Sequence, residues 1–160
     1  MQELANIKGM GLAKATQIAA AMELGRRVAI SQFHERPQIR SPEDVYQLVH
    51  MQLLSERREH FLAVMLDTKN RVLRTETISI GTLDSSLVHP REVYRVVIRE
   101  GAASWIAVHN HPSGDPTPSP EDIAITRRLK EAGELLGTEL LDHLILGDGN
   151  YTSLREKGYL

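Results

Sequence analysis

Apolar residues at the start of the chain recur at helical spacing on both sides of a short glycine turn. The turn, GMG, occupies residues 9–11, and the helix after it is predicted to run from about Leu12 to Met22 and to end near Gly25. Residues 29–40 show no period and contain a proline, which predicts a linker. We therefore expect a short helical hairpin and linker over residues 1–40.

The pattern beyond residue 40 alternates between helical and strand periods. A serine-proline-acid start at Ser41 predicts a helix, and two β-rich runs, HFLAVMLD and RVLRTETISI, flank a tight turn at 67–70. A helix over about 90–100, the strand SWIAVH, a helix from 119 to about 136, the strand ELLDHLIL and a short last strand follow. This order predicts an α/β domain, a mixed sheet flanked by helices, over residues 41–160.

Composition limits the classes of protein and of site. The chain has 160 residues, enough for one compact domain and a small appendage. It has no cysteine, which excludes disulfides, thiolate zinc sites and cysteine nucleophiles, so any metal must be held by His, Asp or Glu. No run approaches the roughly 20 apolar residues of a membrane span, and the N-terminus lacks the apolar core of a signal peptide. We expect a cytoplasmic protein with no membrane partner.

Charge is distributed unevenly, which bears on nucleic-acid binding. Residues 1–40 carry six Lys and Arg against three Asp and Glu, whereas residues 41–160 carry 13 against 18. Gly9 and Gly11 could present helix N-terminal amides to a DNA phosphate close to Lys14. A hairpin that only packs on its neighbours is the equally plausible alternative. Nothing in the pattern indicates an oligomeric state.

The stretch HNHPSGDPTPSPED, from His109 to Asp122, carries the strongest chemical signal. His109 and His111 are two positions apart as the chain leaves a strand, so both imidazoles point to one side if the chain stays extended. A stiff, proline-rich loop could then bring Asp122 back to them. Two nitrogens and one carboxylate oxygen suit a zinc ion whose fourth position is taken by water.

A capped helix start explains part of the same stretch without any metal. Ser119-Pro120-Glu121-Asp122 fits a capping box with proline at the first helical position. The two interpretations are compatible, because the Asp122 carboxylate could bind metal while Ser119 caps the helix. The letters HNH are no indication of an HNH nuclease, whose motif residues are spread over a ββα unit.

The order H-x-H-P, six residues, Ser, two residues, Asp matches the JAMM signature of MPN/JAB metalloproteases. The chain also resembles bacterial RadC-like proteins over nearly its whole length. The segments that carry this resemblance are HNHPSG, PS-x-x-D, DHLIL, SLREKGYL, LDTKNRV and GTLDSSLVHPREV. The resemblance implies a JAB/MPN, cytidine-deaminase-like fold. GMGLAKATQIAAAMELGRR resembles the helix-hairpin-helix that precedes this domain in the family, and its abrupt start suggests a truncated or short member.

The resemblance also implies roles for individual residues. His109, His111 and Asp122 would be the ligands of one zinc ion per chain, and a water activated by that zinc would be the nucleophile. In JAMM enzymes the general base is a glutamate that opens the first strand of the hairpin. Glu59 occupies that position, with Glu56 as the fallback.

Three more residues in or near the motif bear on the chemistry of the site. Ser119 matches the family serine that helps to stabilise the oxyanion, although as an N-cap its hydroxyl would be partly occupied. Asn110 stands where eukaryotic JAMM isopeptidases usually have Ser or Thr, which leaves zinc ligation unaffected and the substrate preference open. His143, inside an apolar run, is expected to be a satisfied core histidine rather than a partner of a ligand.

Three functions follow as hypotheses. The first is a zinc-dependent hydrolase that cleaves a peptide or isopeptide bond in an unidentified peptide or protein substrate. The second is a DNA-binding accessory protein in repair or recombination, which uses its N-terminal hairpin and a non-catalytic JAB domain. A metal-dependent nuclease or deaminase-like hydrolase is less favoured, because the sequence offers no second metal site.

Overall fold

The structure is a computed structural model that describes residues 11–34, 36–54, 56–81 and 88–160, for residues 26–34 the backbone alone. The chain divides into two compact units, residues 1–36 and residues 37–160. None of the described helices is long and apolar enough to cross a bilayer. The helices are α1 (Leu12–His34), α2 (Pro42–Leu53), α3 (Pro90–Arg99) and α4 (Pro120–Leu136). The strands are β1 (His60–Leu66), β2 (Val72–Ile80), β3 (Ser104–Asn110), β4 (Glu139–Leu146) and β5 (Tyr151–Ser153).

The described part of the first unit is the single helix α1. The prediction that this helix ends near Gly25 and gives way to a linker at residue 29 is wrong, because α1 continues to His34. A glycine in a helix interior costs only about 1 kcal/mol relative to alanine, which by itself does not end a helix. The proline of the expected linker, Pro37, lies beyond the end of α1.

The features expected to bind DNA are only partly within the described residues. Gly9 and Met10 of the glycine turn lie outside them. The carbonyl of Gly11 accepts a hydrogen bond from Ala15 N–H at 3.1 Å, and Lys14 is exposed on α1. DNA contact through Gly9, Gly11 and Lys14 therefore stays a prediction, as does a domain boundary near residue 40.

The second unit is built on a five-stranded sheet with the order β2-β1-β3-β4-β5. Strand β1 is antiparallel to both β2 and β3, β3 is parallel to β4, and β4 is antiparallel to β5. The predicted mixed-sheet α/β class is confirmed. The tight turn between β1 and β2 is also confirmed, because Asn70 has a φ of 56° and the Asp67 carboxylate accepts the N–H groups of Lys69 and Arg71 at 2.8 and 2.9 Å.

Helices cover the two faces of the sheet, and every residue of β1 and β3 is buried. One face packs against α3 and α4, in a cluster that includes Phe61, Val93 and Leu129. The other face packs against α2, whose capping box at Ser41 fixes its start. Strand β3 therefore runs through the centre of the domain and is buried up to its last residue, Asn110.

Tyr94, on α3, connects helix α4 to strand β3 on the face of the sheet that α3 and α4 cover. Its hydroxyl donates to the carbonyl of Leu129 on α4 at 2.7 Å and accepts the indole N–H of Trp105 on β3 at 3.2 Å. All three residues are buried. Removing the hydroxyl would leave a carbonyl and an N–H buried without a partner, which is more costly than losing a solvent-exposed hydrogen bond.

We predict that Tyr94→Phe lowers the free energy of unfolding by about 1–3 kcal/mol. Denaturant unfolding followed by circular dichroism measures the change. The matched control is Tyr159→Phe at a tyrosine that is 40% exposed, where we expect a change below about 0.5 kcal/mol. Equal losses in the two variants would contradict the assignment of Tyr94 as a bridge between the layers.

Candidate metal centre

The end of β3 places two imidazoles side by side. His109 lies on β3 and is 0% exposed, and His111 follows one residue beyond the strand. The N–H of His111 donates to the Leu146 carbonyl at 2.8 Å, which keeps the chain extended past the strand end. The two Nε2 atoms are consequently 3.0 Å apart. The prediction that both imidazoles point to one side is confirmed.

Asp122 reaches the same place from the first turn of α4. Ser119 is the N-cap: its hydroxyl accepts the Asp122 N–H at 3.1 Å, and its own N–H donates to Asp122 Oδ2 at 2.8 Å. Asp122 Oδ1 is 3.2 Å from His109 Nε2, and Oδ2 is 3.4 Å from His111 Nε2. The expected capping box is present, and the same carboxylate contacts both imidazoles.

The spacing of these atoms fits a tetrahedral metal site. Zinc bonds of 2.0–2.1 Å at tetrahedral angles place neighbouring ligand atoms roughly 3.3–3.4 Å apart. The two Nε2 atoms are 3.0 Å apart, and Oδ1 and Oδ2 of Asp122 are 3.2 and 3.4 Å from one Nε2 each, which is close to that value. Among the described residues, His109, His111 and Asp122 are the one group of His, Asp or Glu side chains close enough together to hold a metal ion.

The electrostatics of the group favour a positive charge between its members. Burial alone would raise the pKa of Asp122. Hydrogen bonds with the two imidazoles and with Ser119 lower the pKa by more than burial raises it, so the carboxyl group is ionised. The hydrogen bond with Asp122 raises the pKa of His111. Burial lowers the pKa of His109, which favours its neutral form. A buried carboxylate needs compensation by a cation, either a proton on His111 or a metal ion.

The second nitrogen of each imidazole is also engaged. His111 Nδ1 is 2.7 Å from the carbonyl of Asp115, and because a carbonyl only accepts, this nitrogen carries a proton; Nε2, which faces Asp122, is the nitrogen that the neutral ring offers to a metal ion. His109 Nδ1 is 2.8 Å from His143 Nε2. His143 was expected to be only a core residue. It is fully buried, and it also contacts a candidate ligand.

Glu59 lies on the same side of the sheet as the cluster. Strand β1 pairs Phe61 with His109, and continuing that antiparallel register by two pairs places Glu59 opposite His111. The negative charge of Glu59 raises the pKa of both His109 and His111, an effect smaller than those of burial and of Asp122.

Glu56, the second candidate for the general base, lies next to His60. Its Oε2 is 3.1 Å from His60 Nε2, although the angles are not those of a hydrogen bond. His60 pairs with Asn110 in the extended register and so lies on the opposite side from Glu59. Glu59 is the better placed of the two glutamates.

The side chain of Asn110 holds the backbone on both sides of Glu59. Its Oδ1 accepts the N–H of His60 at 2.8 Å, and its Nδ2 donates to the carbonyl of Arg58 at 3.1 Å. Asn110 therefore attaches the end of β3 to the start of β1. A hydroxyl at this position would be too short to make both bonds.

The loop after His111 contacts the turn after β4, and this contact could not be predicted from the sequence. The carbonyl of Gly114 accepts the N–H of Asp148 at 2.9 Å, which joins the loop after His111 to the turn after β4. A Cβ at Gly147 would collide with the Gly114 carbonyl oxygen. The sequence indicated a turn at 147–150, but not that it packs against a loop more than thirty residues earlier.

A cavity of about 620 Å³ adjoins the cluster. His111 lies in its wall, together with residues from the end of α2, the loop after β3 and the turn after β4. Its ionisable lining residues include Glu56, Asp115 and Asp148 but no Lys or Arg. The candidate metal centre is thus next to a space large enough for several side chains of a substrate.

Comparison with known proteins gives the same family as the sequence motifs. A family model for the RadC-like JAB domain matches residues 39–159. A UPF0758 protein of Desulforamulus reducens is 59% identical over 160 residues, which are 100% of this chain and 70% of that protein. A UPF0758 protein of Caldanaerobacter subterraneus is 54% identical over 99% of this chain and 68% of its own length, and one of Bacillus licheniformis is 55% identical over 99% and 71%. This chain belongs to the RadC-like JAB domain family.

Proposed function

We propose that the protein is a zinc-dependent hydrolase that cleaves a peptide or isopeptide bond. One observation carries the proposal: two imidazole nitrogens lie 3.0 Å apart, and the two oxygens of the Asp122 carboxylate lie 3.2 and 3.4 Å from one nitrogen each, within the electrostatic reach of Glu59. That combination pairs a metal site with a candidate general base.

The donor set favours zinc in a catalytic role. Two histidines and one aspartate suit zinc, and three protein ligands leave the fourth position available, as catalytic zinc sites do. A structural zinc site would have four protein ligands. Among the described residues no second group of candidate ligands accompanies the first, which favours a single-zinc hydrolase over a two-metal nuclease.

When bound, zinc would make a nucleophilic water available at neutral pH and polarise the scissile carbonyl. Glu59 would accept the proton of the attacking water and return it to the leaving amine. Ser119 was expected to stabilise the oxyanion. In this structure its hydroxyl donates to Asp122 Oδ2 at 2.7 Å, so an oxyanion role would require that hydrogen bond to be exchanged.

The substrate would approach through the cavity that contains His111. The carboxylates of Glu56, Asp115 and Asp148 give its lining a negative charge, since no Lys or Arg is part of it. A polypeptide substrate fits such a space better than an anionic nucleic acid does.

We predict that the protein purified with zinc in excess contains about one zinc per chain, measured by plasma mass spectrometry. Replacing His109 and His111 together with alanine should remove the zinc, because only Asp122 would remain. His50→Ala, at a cavity histidine outside the cluster, is the control and should keep it. Wild-type protein without metal after this purification would refute the proposal.

We predict that Glu59→Gln lowers kcat for peptide or isopeptide hydrolysis about 10²–10⁴-fold and leaves the zinc content unchanged. The loss arises because glutamine cannot accept a proton. Quenched-fluorescent peptides and lysine-linked isopeptides serve as substrates. Glu56→Gln is the matched control and should stay within a few fold of the wild type. Loss of activity in Glu56→Gln alone would transfer the role of general base to Glu56.

A further inference from the structure

A side chain, that of Asn110, holds the main chain at the start of β1. Its Oδ1 accepts the N–H of His60 at 2.8 Å, and its Nδ2 donates to the carbonyl of Arg58 at 3.1 Å. Because a backbone N–H only donates and a carbonyl only accepts, the two partners also fix which side-chain atom is the oxygen and which the nitrogen. Asn110 is buried, so water competes little for either bond.

The register of the sheet explains why a side chain is needed here. Strands β1 and β3 pair Phe61 with His109, and the same register places Pro112 opposite Arg58. A proline has no N–H, so it cannot donate to the Arg58 carbonyl as a residue of a regular antiparallel ladder would. The side-chain amide of Asn110 supplies the missing donor.

Glu59 lies between the two residues whose main chain Asn110 binds. Alternation along the strands puts the Glu59 side chain on the face of the sheet where His109 and His111 lie, and the Asn110 side chain on the other face. Asn110 therefore acts on Glu59 through the main chain. On the opposite edge of β1, the N–H of Gly81 donates to the Glu59 carbonyl at 2.8 Å. Hydrogen bonds on both edges thus fix the direction in which the Glu59 side chain leaves the strand.

We propose that Asn110 is a positioning residue that holds Glu59 opposite His111 by binding the main chain on both sides of Glu59. The inference deepens the proposed function, since it rests on Glu59 as the general base. Asn110 takes no part in the chemistry itself. A displacement of about 1 Å at a reacting group can cost on the order of 10²-fold in rate, so a side chain that fixes the main chain beside the base controls the rate.

The first experiment is a double-mutant cycle in the full chain, with kcat for a quenched-fluorescent peptide as the readout. The hydroxyl of Asn110→Ser is too short to reach both main-chain groups, so we expect kcat to fall about 10–100-fold. KM should stay within a few fold, and the zinc content should not change. In the Glu59→Gln background the same substitution should change kcat by less than about twofold, because the base that Asn110 positions is already absent.

Asn150→Ser, at an exposed asparagine, is the matched control and should leave kcat unchanged. An unchanged kcat in Asn110→Ser would overturn the positioning role. An equal loss of kcat in both backgrounds would overturn it too, because a general disturbance of the fold acts whether or not Glu59 is present. Loss of zinc from Asn110→Ser would show that Asn110 holds the metal ligands and not the base.

NMR couplings through hydrogen bonds in the zinc-free wild type test the contacts without any activity. We expect one coupling between the His60 amide nitrogen and the Asn110 side-chain carbonyl carbon, and one between Asn110 Nδ2 and the Arg58 carbonyl carbon. Absence of both couplings would overturn the inference even if Asn110→Ser did not fold. A wild type that cleaves no peptide or isopeptide would refute the hydrolase, whereas the couplings decide separately whether Asn110 holds the main chain at Glu59.

Discussion

The buried carboxylate of Asp122 is the constraint on which the candidate site depends. An ionised group that is 1% exposed is stable only if hydrogen bonds and positive charge replace the water it has lost. Ser119 supplies an N–H and a hydroxyl, the start of α4 supplies the positive end of the helix dipole, and the imidazoles of His109 and His111 supply the rest. The start of the helix and the metal cluster are therefore one electrostatic unit.

The central position of β3 allows this unit to be assembled. Successive side chains on a strand point to opposite faces, so His109 faces α4 whereas Asn110 faces α2. The first contributes to the cluster, and the second binds the backbone on either side of Glu59. The end of one strand thereby positions both the candidate ligands and the candidate base, which come from separate parts of the chain.

The sequence predicted those features that depend on neighbouring residues. The capping box of α4, the turn at Asp67–Asn70 and the order of helices and strands each arise from short-range patterns, and each is present. The expected end of the first helix at Gly25 was wrong because a single glycine weakens a helix without ending it. The position of Glu59 opposite His111 follows from the β1–β3 register, which no short segment specifies.

By itself the sequence determined the fold class, the family motifs and the three residues of the candidate metal centre, because these are recorded in periodicity and in spacing along the chain. Only the tertiary structure decided that His143 and Thr126 lie behind His109, that Asn110 spans Glu59, and that Gly147 packs against the loop of Gly114. These contacts join residues on different strands, helices and loops. They form because a buried polar group needs a hydrogen-bond partner, and only the folded chain brings these partners close together.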